Sequence, residues 1–208
     1  MNDLIDSIEA LKSSEISEII NLRMSEFSNI KNMGGNVIFR ELCFCIMTAN
    51  CGAERCIEIH ERIGAKFNTL TELKLTERFK EYGYRFPNIR SKFIIEARKS
   101  KDELKNKIKS ELNKNDLREW IVENIKGIGY KEASHFLRNI GFTNYAIIDF
   151  HIIDLLVAHG LIDKPKTLNR IKYLKIENIL KNIADKLNLN LAELDLYLWF
   201  LETGKILK

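Results

Sequence analysis

The sequence predicts an all-α protein, and two observations carry the prediction. Apolar residues recur at spacings of three and four along most of the chain, which places them on one face of a helix. Only two prolines and 10 glycines interrupt the 208 residues. Sandwiches and barrels of short strands need more frequent turn residues and are disfavoured. We expect about ten helices joined by short connections.

The predicted helices follow one another with little chain between them. The first two, 3–12 and 16–27, each carry one apolar stripe, and a break follows at Gly34 and Gly35. The third, 37–49, is apolar nearly all round, so it should be central and buried. The remaining helices are predicted at 53–63, 71–81, 88–99, 101–111, 116–124, 131–140, 150–159, 171–187 and 191–203.

Composition indicates an intracellular protein without a membrane partner. A hydrophobic share of 45% with 30% charged residues is the usual balance of a globular chain. No apolar run approaches the roughly 18 residues of a membrane span, and the acidic N-terminus lacks a secretory signal. We expect a cytoplasmic protein. The net charge of +4 permits nucleic-acid binding without requiring it, and the basic run 85–109 alone indicates a solvated helix face.

The four cysteines, Cys43, Cys45, Cys51 and Cys56, lie close together in the chain. Their spacing is not the paired CxxC arrangement of a zinc site. We therefore expect no metal site, and we expect all four to be reduced, buried residues that behave as small hydrophobes.

The segment 125–133, IKGIGYKEA, differs in kind from the rest of the chain. Two amphipathic helices flank a turn with two glycines, which permit positive φ and close approach of a partner to the backbone. Unpaired amides begin the next helix, so Lys126, Gly127 and Gly129 would form a seat for a DNA phosphate. Ile128 should point inward. The simpler alternative is an ordinary helix–helix turn capped by Gly127.

This pattern of apolar residue, Gly, apolar residue, Gly, Lys and Ala resembles the helix-hairpin-helix motif of the HhH-GPD DNA glycosylase superfamily. Bifunctional members carry a nucleophilic Lys at the start of the second hairpin helix and a catalytic Asp at the start of a later helix. The resemblance maps these roles to Lys131 and Asp149, which are 149 − 131 = 18 residues apart. It also covers the segment AIIDFHI at 146–152.

The chemistry of these enzymes explains the two residue types. Breaking the base–sugar bond builds positive charge on the sugar, which a carboxylate stabilises. A neutral lysine amine attacks C1′ and forms a Schiff base, and β-elimination then cuts the strand. The lysine must first lose a proton, which Asp149 is suited to accept. The plain alternatives are a solvated first-turn Lys131 and an Asp149 that only caps a helix.

The resemblance narrows further to the archaeal-type 8-oxoguanine DNA glycosylases of the second class. It covers the whole chain, with residues 41–50 and 193–205 as its clearest stretches besides the hairpin. Other branches ligate an iron–sulfur cluster with C-terminal cysteines. This chain has no Cys after Cys56, so we expect no cluster and no other cofactor. One departure is Phe150, where the family pattern has an Arg.

The resemblance implies two helical subdomains with a cleft for DNA and the extruded base between them. Residues 1–35 plus 145–208 would form one subdomain. Residues 36–144 would form the other and carry the helix-hairpin-helix at 116–140. Lys131 and Asp149 would face each other across the mouth of the cleft.

An extruded base must be held by stacking and by hydrogen bonds to its edge. Phe86 and Trp199 are the candidates for stacking, and Asp195 is the candidate for the base edge. The resemblance implies that the tail folds back and brings Lys208 and its terminal carboxylate to the base pocket. The plain alternatives are two core aromatic rings, an outward-facing Asp195 and a frayed terminus.

Three further residues complete the expected site. Asn50 lies in a loop between two helices, where family members place a wedge that fills the gap left by the flipped nucleotide. A simple turn is the alternative. We expect His135 to be structural and His151 to support its loop or contact a phosphate.

The leading hypothesis is therefore a bifunctional DNA glycosylase and AP lyase that excises 8-oxoguanine from double-stranded DNA and works as a monomer. One alternative is a lyase-competent glycosylase for another damaged base. Another is a non-catalytic helix-hairpin-helix module that only binds DNA, which the presence of both Lys131 and Asp149 disfavours.

Overall fold

The computed structural model describes residues 2–110 and 114–207. Within these ranges the chain forms twelve α-helices and one 3₁₀ helix, Gly64–Asn68, and no β-strand, which confirms the all-α prediction. In chain order the helices are α1 (Asn2–Lys12), α2 (Ile16–Lys31), α3 (Gly35–Thr48), α4 (Ala53–Ile63), α5 (Glu72–Glu81), α6 (Pro87–Lys99), α7 (Lys101–Lys109), α8 (Lys114–Asn124), α9 (Tyr130–Asn139), α10 (Phe150–Ala158), α11 (Arg170–Lys186) and α12 (Leu191–Thr203). None of these helices is both long and apolar enough to cross a membrane.

Most helix ends lie close to their predicted positions, and α2 shows the largest difference. Its apolar stripe ends at Phe27, but the helix continues to Lys31. The last turn is polar except for Ile30, which packs against the first cluster, whereas the stripe that ends at Phe27 faces the second, so the stripe alone did not show the true end. The 3₁₀ helix Gly64–Asn68 was not predicted, because one short turn leaves no period to detect.

Helix α3 is the central helix, as its apolar sequence predicts. Apart from Arg40, its residues from Ile38 to Thr48 are buried. It packs against α4, α6, α7, α9 and the 3₁₀ helix. The second helix of the glycine hairpin, α9, is thus anchored directly on the most buried element of the chain.

Buried apolar residues form two clusters. The first runs from Ile38 in α3 to Tyr145 after α9. The second combines α1 and α2 with residues 146–198. The change of cluster falls between Tyr145 and Ala146, close to the predicted subdomain boundary. The division into 1–35 plus 145–208 and 36–144 stays a prediction, and these clusters support it.

The cysteines follow the prediction at three of four positions. Cys43, Cys45 and Cys56 are fully buried in the first cluster as thiols rather than as disulfides. The expectation is wrong for Cys51, which is only partly buried. This residue lies in the loop between α3 and α4, beyond the buried length of α3.

A buried ion pair ties the hairpin to the second cluster. The guanidinium of Arg118 on α8 donates to both carboxylate oxygens of Glu177 on α11, at 2.6 and 2.9 Å. The Arg118 side chain is 1% exposed. Its guanidinium also lies over three aromatic rings, those of Tyr130, Tyr145 and Tyr173. Such a bidentate pair fixes orientation as well as distance.

The turn between α8 and α9 uses its glycines in different ways. Gly127 has φ +82°, and a Cβ there would lie 2.3 Å from the ring of Phe93. Gly129 is extended, with φ −100° and ψ −169°, and a Cβ there would meet its nearest neighbour at an ordinary 3.5 Å. The backbone therefore requires glycine at Gly127 and not at Gly129. Ile128 is buried, as predicted.

We expect Gly127→Ala to lower the free energy of unfolding by about 1–3 kcal/mol, because it combines a strained φ with overlap against Phe93. Gly129→Ala, the matched control, should cost only about 0.5 kcal/mol. Urea unfolding of both variants measures the difference. Equal losses at the two positions would contradict the assigned turn geometry.

We expect Arg118→Ala to lower the free energy of unfolding by about 3–5 kcal/mol, because the Glu177 carboxylate would stay buried without its cation. Arg78→Ala, which breaks an exposed ion pair with Glu81, is the control and should change stability little. Urea unfolding again provides the measurement. If both variants lost a similar free energy of unfolding, the buried pair would contribute no more to stability than an exposed one, which would contradict its assigned role.

Candidate active site

A cleft of about 890 Å³ lies where the two clusters meet. Its walls come from the α3–α4 loop, α4, α9, the start of α10, α12 and the C-terminal tail. Seven residues of the expected site line it: Asn50, Lys131, His135, Asp149, His151, Asp195 and Trp199. The chain thus gathers into one cavity side chains that are up to 149 positions apart (199 − 50 = 149).

Lys131 is the second residue of α9 and lines the cleft. Its side chain is 24% exposed, and its Nζ lies 3.8 Å from Oε1 of Glu132. This setting differs from that of a solvated surface lysine, because the amine is half enclosed and faces the cavity that would receive a ligand.

Asp149 is the N-cap of α10, and its Oδ1 accepts a hydrogen bond from the backbone N–H of Ile152 at 3.0 Å. Its side chain also lines the cleft. Asp149 therefore caps α10, as the simpler alternative has it, and also lines the cleft, as predicted. The cap fixes one carboxylate oxygen and so sets the direction in which the group faces the cavity.

The segment 145–148 before Asp149 has no regular secondary structure and, among the residues that the structure describes, no β-strand beside it, so side chains hold its backbone. The Tyr173 hydroxyl donates to the carbonyl of Ala146 at 2.7 Å and accepts from the N–H of Ile148 at 3.2 Å. Glu177 accepts from the N–H of Ala146 at 3.0 Å. Two side chains of α11, one turn apart, thereby replace the missing partner strand.

Asp195 lies in a buried ion pair. Nη1 of Arg138 donates to its Oδ2 at 2.7 Å. Burial raises the pKa of Asp195 to about 6, although the Arg138 cation opposes this and the nearby Asp149 carboxylate adds to it. The alternative of an outward-facing Asp195 is wrong, because the residue is 9% exposed. If Asp195 binds the base edge as predicted, it has to do so while its Oδ2 accepts the hydrogen bond from Arg138.

Trp199 is partly exposed in the cleft wall rather than enclosed in the core. Its indole Nε1 is buried and, within the described part of the chain, has no hydrogen-bond partner. The ring meets His151 edge-on at 5.0 Å. Beyond it, Phe150 is 67% exposed and its ring lies 3.9 Å from that of His151. These three rings form a row from the cleft wall to its mouth.

The structure places Phe86 outside the residues that line the cleft, so far as the described ranges go. Its ring lies against the guanidinium groups of Arg85 and Arg90, at 4.9 and 5.7 Å, and packs on the first cluster. Its neighbour Arg85 lines the cleft instead. Arg85 was not predicted as a site residue, because its position in a basic run gives no signal that separates it from the other cations.

Asn50 is exposed at the end of α3 and has φ 60°, a left-handed conformation that asparagine tolerates better than most residues. Its carbonyl accepts from Arg85 at 3.2 Å, and the carbonyl of Ala49 accepts from Arg90 at 2.8 Å. The loop is thus a turn, as the alternative has it, but one held rigidly at the mouth of the cleft.

The hairpin residues lie on the turn next to the cleft. Lys126 is exposed, with its Nζ 3.2 Å from Oε2 of Glu96. Gly129 is exposed at the start of α9, so the first amides of that helix face outward.

Part of the basic run 85–109 is structural rather than solvated, which corrects its interpretation as a solvated face. Arg90 is buried, and Arg98 donates to the carbonyl of Phe67 at 2.6 Å.

The last side chains of the site are His135 and the tail. His135 is 6% exposed and packs edge-on against Phe44 in the wall of the cleft, in agreement with a structural role. After α12, Lys205 forms an ion pair with Glu54 of α4, and Leu207 lines the cleft. Lys208 lies outside the described residues, so its predicted place in the base pocket stays a prediction.

Comparison with known proteins agrees with this arrangement. A family model described as 8-oxoguanine DNA glycosylase matches residues 20–189. The 8-oxoguanine DNA glycosylase/AP lyase of Methanocaldococcus jannaschii is 52% identical over 206 residues, which cover 99% of each chain. That of Korarchaeum cryptofilum is 49% identical over 209 residues and covers 100% of this chain and 99% of its own.

Solved structures agree as well. The crystal structure of the Methanocaldococcus jannaschii glycosylase/lyase in complex with a 15mer DNA containing 8-oxoguanine has a TM-score of 0.95, with 51% identity and 99% of both chains covered. The 8-oxoguanine DNA glycosylase of Thermotoga maritima has a TM-score of 0.93 at 39% identity, covering 100% of this chain and 99% of that one. The chain therefore belongs to the 8-oxoguanine DNA glycosylase family.

Proposed function

We propose that this protein excises 8-oxoguanine from double-stranded DNA and then cleaves the strand as an AP lyase. One observation carries the proposal. Lys131 and Asp149, each at the start of a helix, line a single cleft in a chain that matches named 8-oxoguanine DNA glycosylase/AP lyases over its whole length. A module that only bound DNA would have no need of a half-enclosed amine and a carboxylate in one cavity.

Base excision requires the damaged nucleotide to leave the duplex, because its reacting bond is inaccessible within the stack. The cleft is the place for the extruded base, and Trp199 offers it an aromatic face and an unused N–H donor. Asn50, on the loop whose carbonyls accept from Arg85 and Arg90, would fill the gap in the duplex. Phe86 stays a candidate for the opposite face of the base, but its ring would first have to leave Arg85 and Arg90.

The Lys131 amine then attacks C1′ while the bond to the base breaks, and the base leaves with the bonding electron pair. Asp149 stabilises the positive charge that develops on the sugar and accepts the proton that Lys131 loses. The C1′–O4′ bond then breaks, the sugar ring opens as O4′ takes up a proton, and the nitrogen lone pair forms the C1′=N double bond of a Schiff base with Lys131. Loss of a C2′ proton expels the 3′ phosphate, and hydrolysis of the imine releases the enzyme.

The hairpin holds the DNA backbone in this proposal. The outward amides at the start of α9 and the cation of Lys126 are suited to one phosphate, next to the helix that carries Lys131. The tail is proposed to complete the base pocket through Lys208, since Leu207 already reaches the cleft wall. We also propose that the protein works as a monomer in the cytoplasm, because one chain supplies both Lys131 and Asp149.

We expect borohydride to trap the wild-type protein covalently on a duplex with 8-oxoguanine, and Lys131→Gln to abolish trapping while duplex binding remains. The amide has no amine with which to form an imine. Lys126→Gln is the control. It should keep trapping, bind DNA more weakly and reduce the slope of log K against log salt by about 0.9. Trapping of the Lys131→Gln variant at the wild-type level would overturn the assignment.

Base choice is tested with matched duplexes that contain 8-oxoguanine, guanine or an oxidised pyrimidine. Single-turnover release from the 8-oxoguanine duplex should exceed release from the other two, because the cleft binds the extruded base before the bond breaks. Release of the oxidised pyrimidine with 8-oxoguanine untouched would favour a glycosylase of different specificity. Binding with no release from any duplex would favour the non-catalytic module.

A further inference from the structure

We propose that the hydroxyl of Tyr173 is a positioning group for the reaction, which holds Asp149 in register with the helix that carries Lys131. The inference rests on the proposed function and deepens it. Tyr173 lies on α11, touches neither end of the proposed chemistry and does not belong to the described lining of the cleft. It acts through the backbone of residues 146–148.

The hydrogen-bond geometry assigns a direction to each bond around this hydroxyl. Its one proton goes to the carbonyl of Ala146, the shortest contact at 2.7 Å. The oxygen then accepts from the N–H of Ile148 at 3.2 Å. The Ser134 hydroxyl, 3.3 Å away, is left as the donor of the third bond. One donated and two accepted bonds use the full capacity of a tyrosine hydroxyl.

Ser134 extends this chain of bonds to the ion pair. Its oxygen accepts from Nη1 of Arg118 at 3.3 Å, and the same nitrogen donates to Glu177. The donors therefore follow one another in a single order. Arg118 donates to Ser134, Ser134 donates to Tyr173, and Tyr173 donates to the carbonyl of Ala146. Burial raises the pKa of the Tyr173 hydroxyl, which keeps its proton in place for this bond.

Through Ser134 and Ala146, the Tyr173 hydroxyl connects the two halves of the site. Ser134 lies on α9, three residues (134 − 131 = 3) after Lys131. Ala146 and Ile148 lie immediately before Asp149, in a segment without a partner strand. The Tyr173 hydroxyl is thus shared between the helix of the proposed nucleophile and the segment of the proposed carboxylate. Misplacement of a reacting group by about 1 Å can slow a reaction by about 100-fold.

Glu177 holds the same segment and provides the contrast that the test needs. Its Oε2 accepts from the N–H of Ala146, and it carries the negative charge opposite Arg118. Glu177→Gln keeps an oxygen acceptor for Ala146 and removes the charge. Tyr173→Phe keeps the ring beneath Arg118 and removes both bonds to the segment. The first change should therefore act mainly on stability, and the second mainly on catalysis.

The test compares Tyr173→Phe, Glu177→Gln and Tyr197→Phe with the wild type. Tyr197 is a buried residue of the same cluster, on α12 and outside the described lining of the cleft, so its variant controls for the loss of a tyrosine hydroxyl elsewhere in this cluster. Single-turnover excision of 8-oxoguanine is measured with enzyme in excess. Duplex affinity is measured in the Lys131→Gln background, where the DNA stays intact.

We expect Tyr173→Phe to slow excision roughly 10- to 100-fold with Kd unchanged. Tyr197→Phe should keep the wild-type excision rate. Glu177→Gln should lower the urea midpoint, and it should slow excision less than Tyr173→Phe does. Excision by Tyr173→Phe at the wild-type rate would overturn the inference and leave the proposed function standing. A slower rate in Tyr173→Phe and Tyr197→Phe alike would also overturn it, because the effect would then be general destabilisation.

A second readout does not depend on activity. Amide hydrogen exchange in the free proteins should be faster at residues 146–148 in Tyr173→Phe than in the wild type, with α3 unchanged. Unaltered exchange at 146–148 would contradict the positioning role even if the wild type excised no base. Absence of excision by the wild type would instead count against the proposed function, so the two failures are distinguishable.

Discussion

The buried ion pair between Arg118 and Glu177 is the constraint on which the rest of the structure depends. It lies where the two apolar clusters meet, and taking both charges out of water is costly unless their hydrogen bonds are satisfied. The structure supplies two hydrogen bonds between the partners, and Glu177 accepts a third from the backbone N–H of Ala146. Because the pair tolerates little displacement, it fixes α8 of the hairpin against α11.

The site follows from that fixed relationship. The hairpin sets the start of α9, and α11 sets the path of the segment that leads into α10. Each of these two helices begins after an extended residue, Gly129 for α9 and Asp149 for α10. Both helix starts bring a proposed catalytic side chain, Lys131 or Asp149, to the wall of the cleft. In the proposed mechanism, phosphate binding and base removal would therefore both take place at a helix start, with different side chains.

Local sequence patterns predicted the parts of the structure that are local. The helical period located α3 and its burial, and the resemblance of the hairpin and of the segment 146–152 to a known family pointed to Lys131 and Asp149 as the candidate pair. The pair of Arg138 with Asp195 was not predicted, because its partners lie 57 residues apart on different helices and neither departs from an ordinary helix pattern. The partial exposure of Cys51 escaped prediction for a related reason, since it depends on where α3 ends.

The central claim is that Lys131 is the residue that becomes joined to the sugar. The most direct measurement is peptide mapping by mass spectrometry of the borohydride-trapped complex, after digestion of both protein and DNA. The account predicts a single modified site, with the mass of the reduced sugar adduct on Lys131 and none on Lys126. An adduct on any other lysine, with Lys131 unmodified, would contradict it.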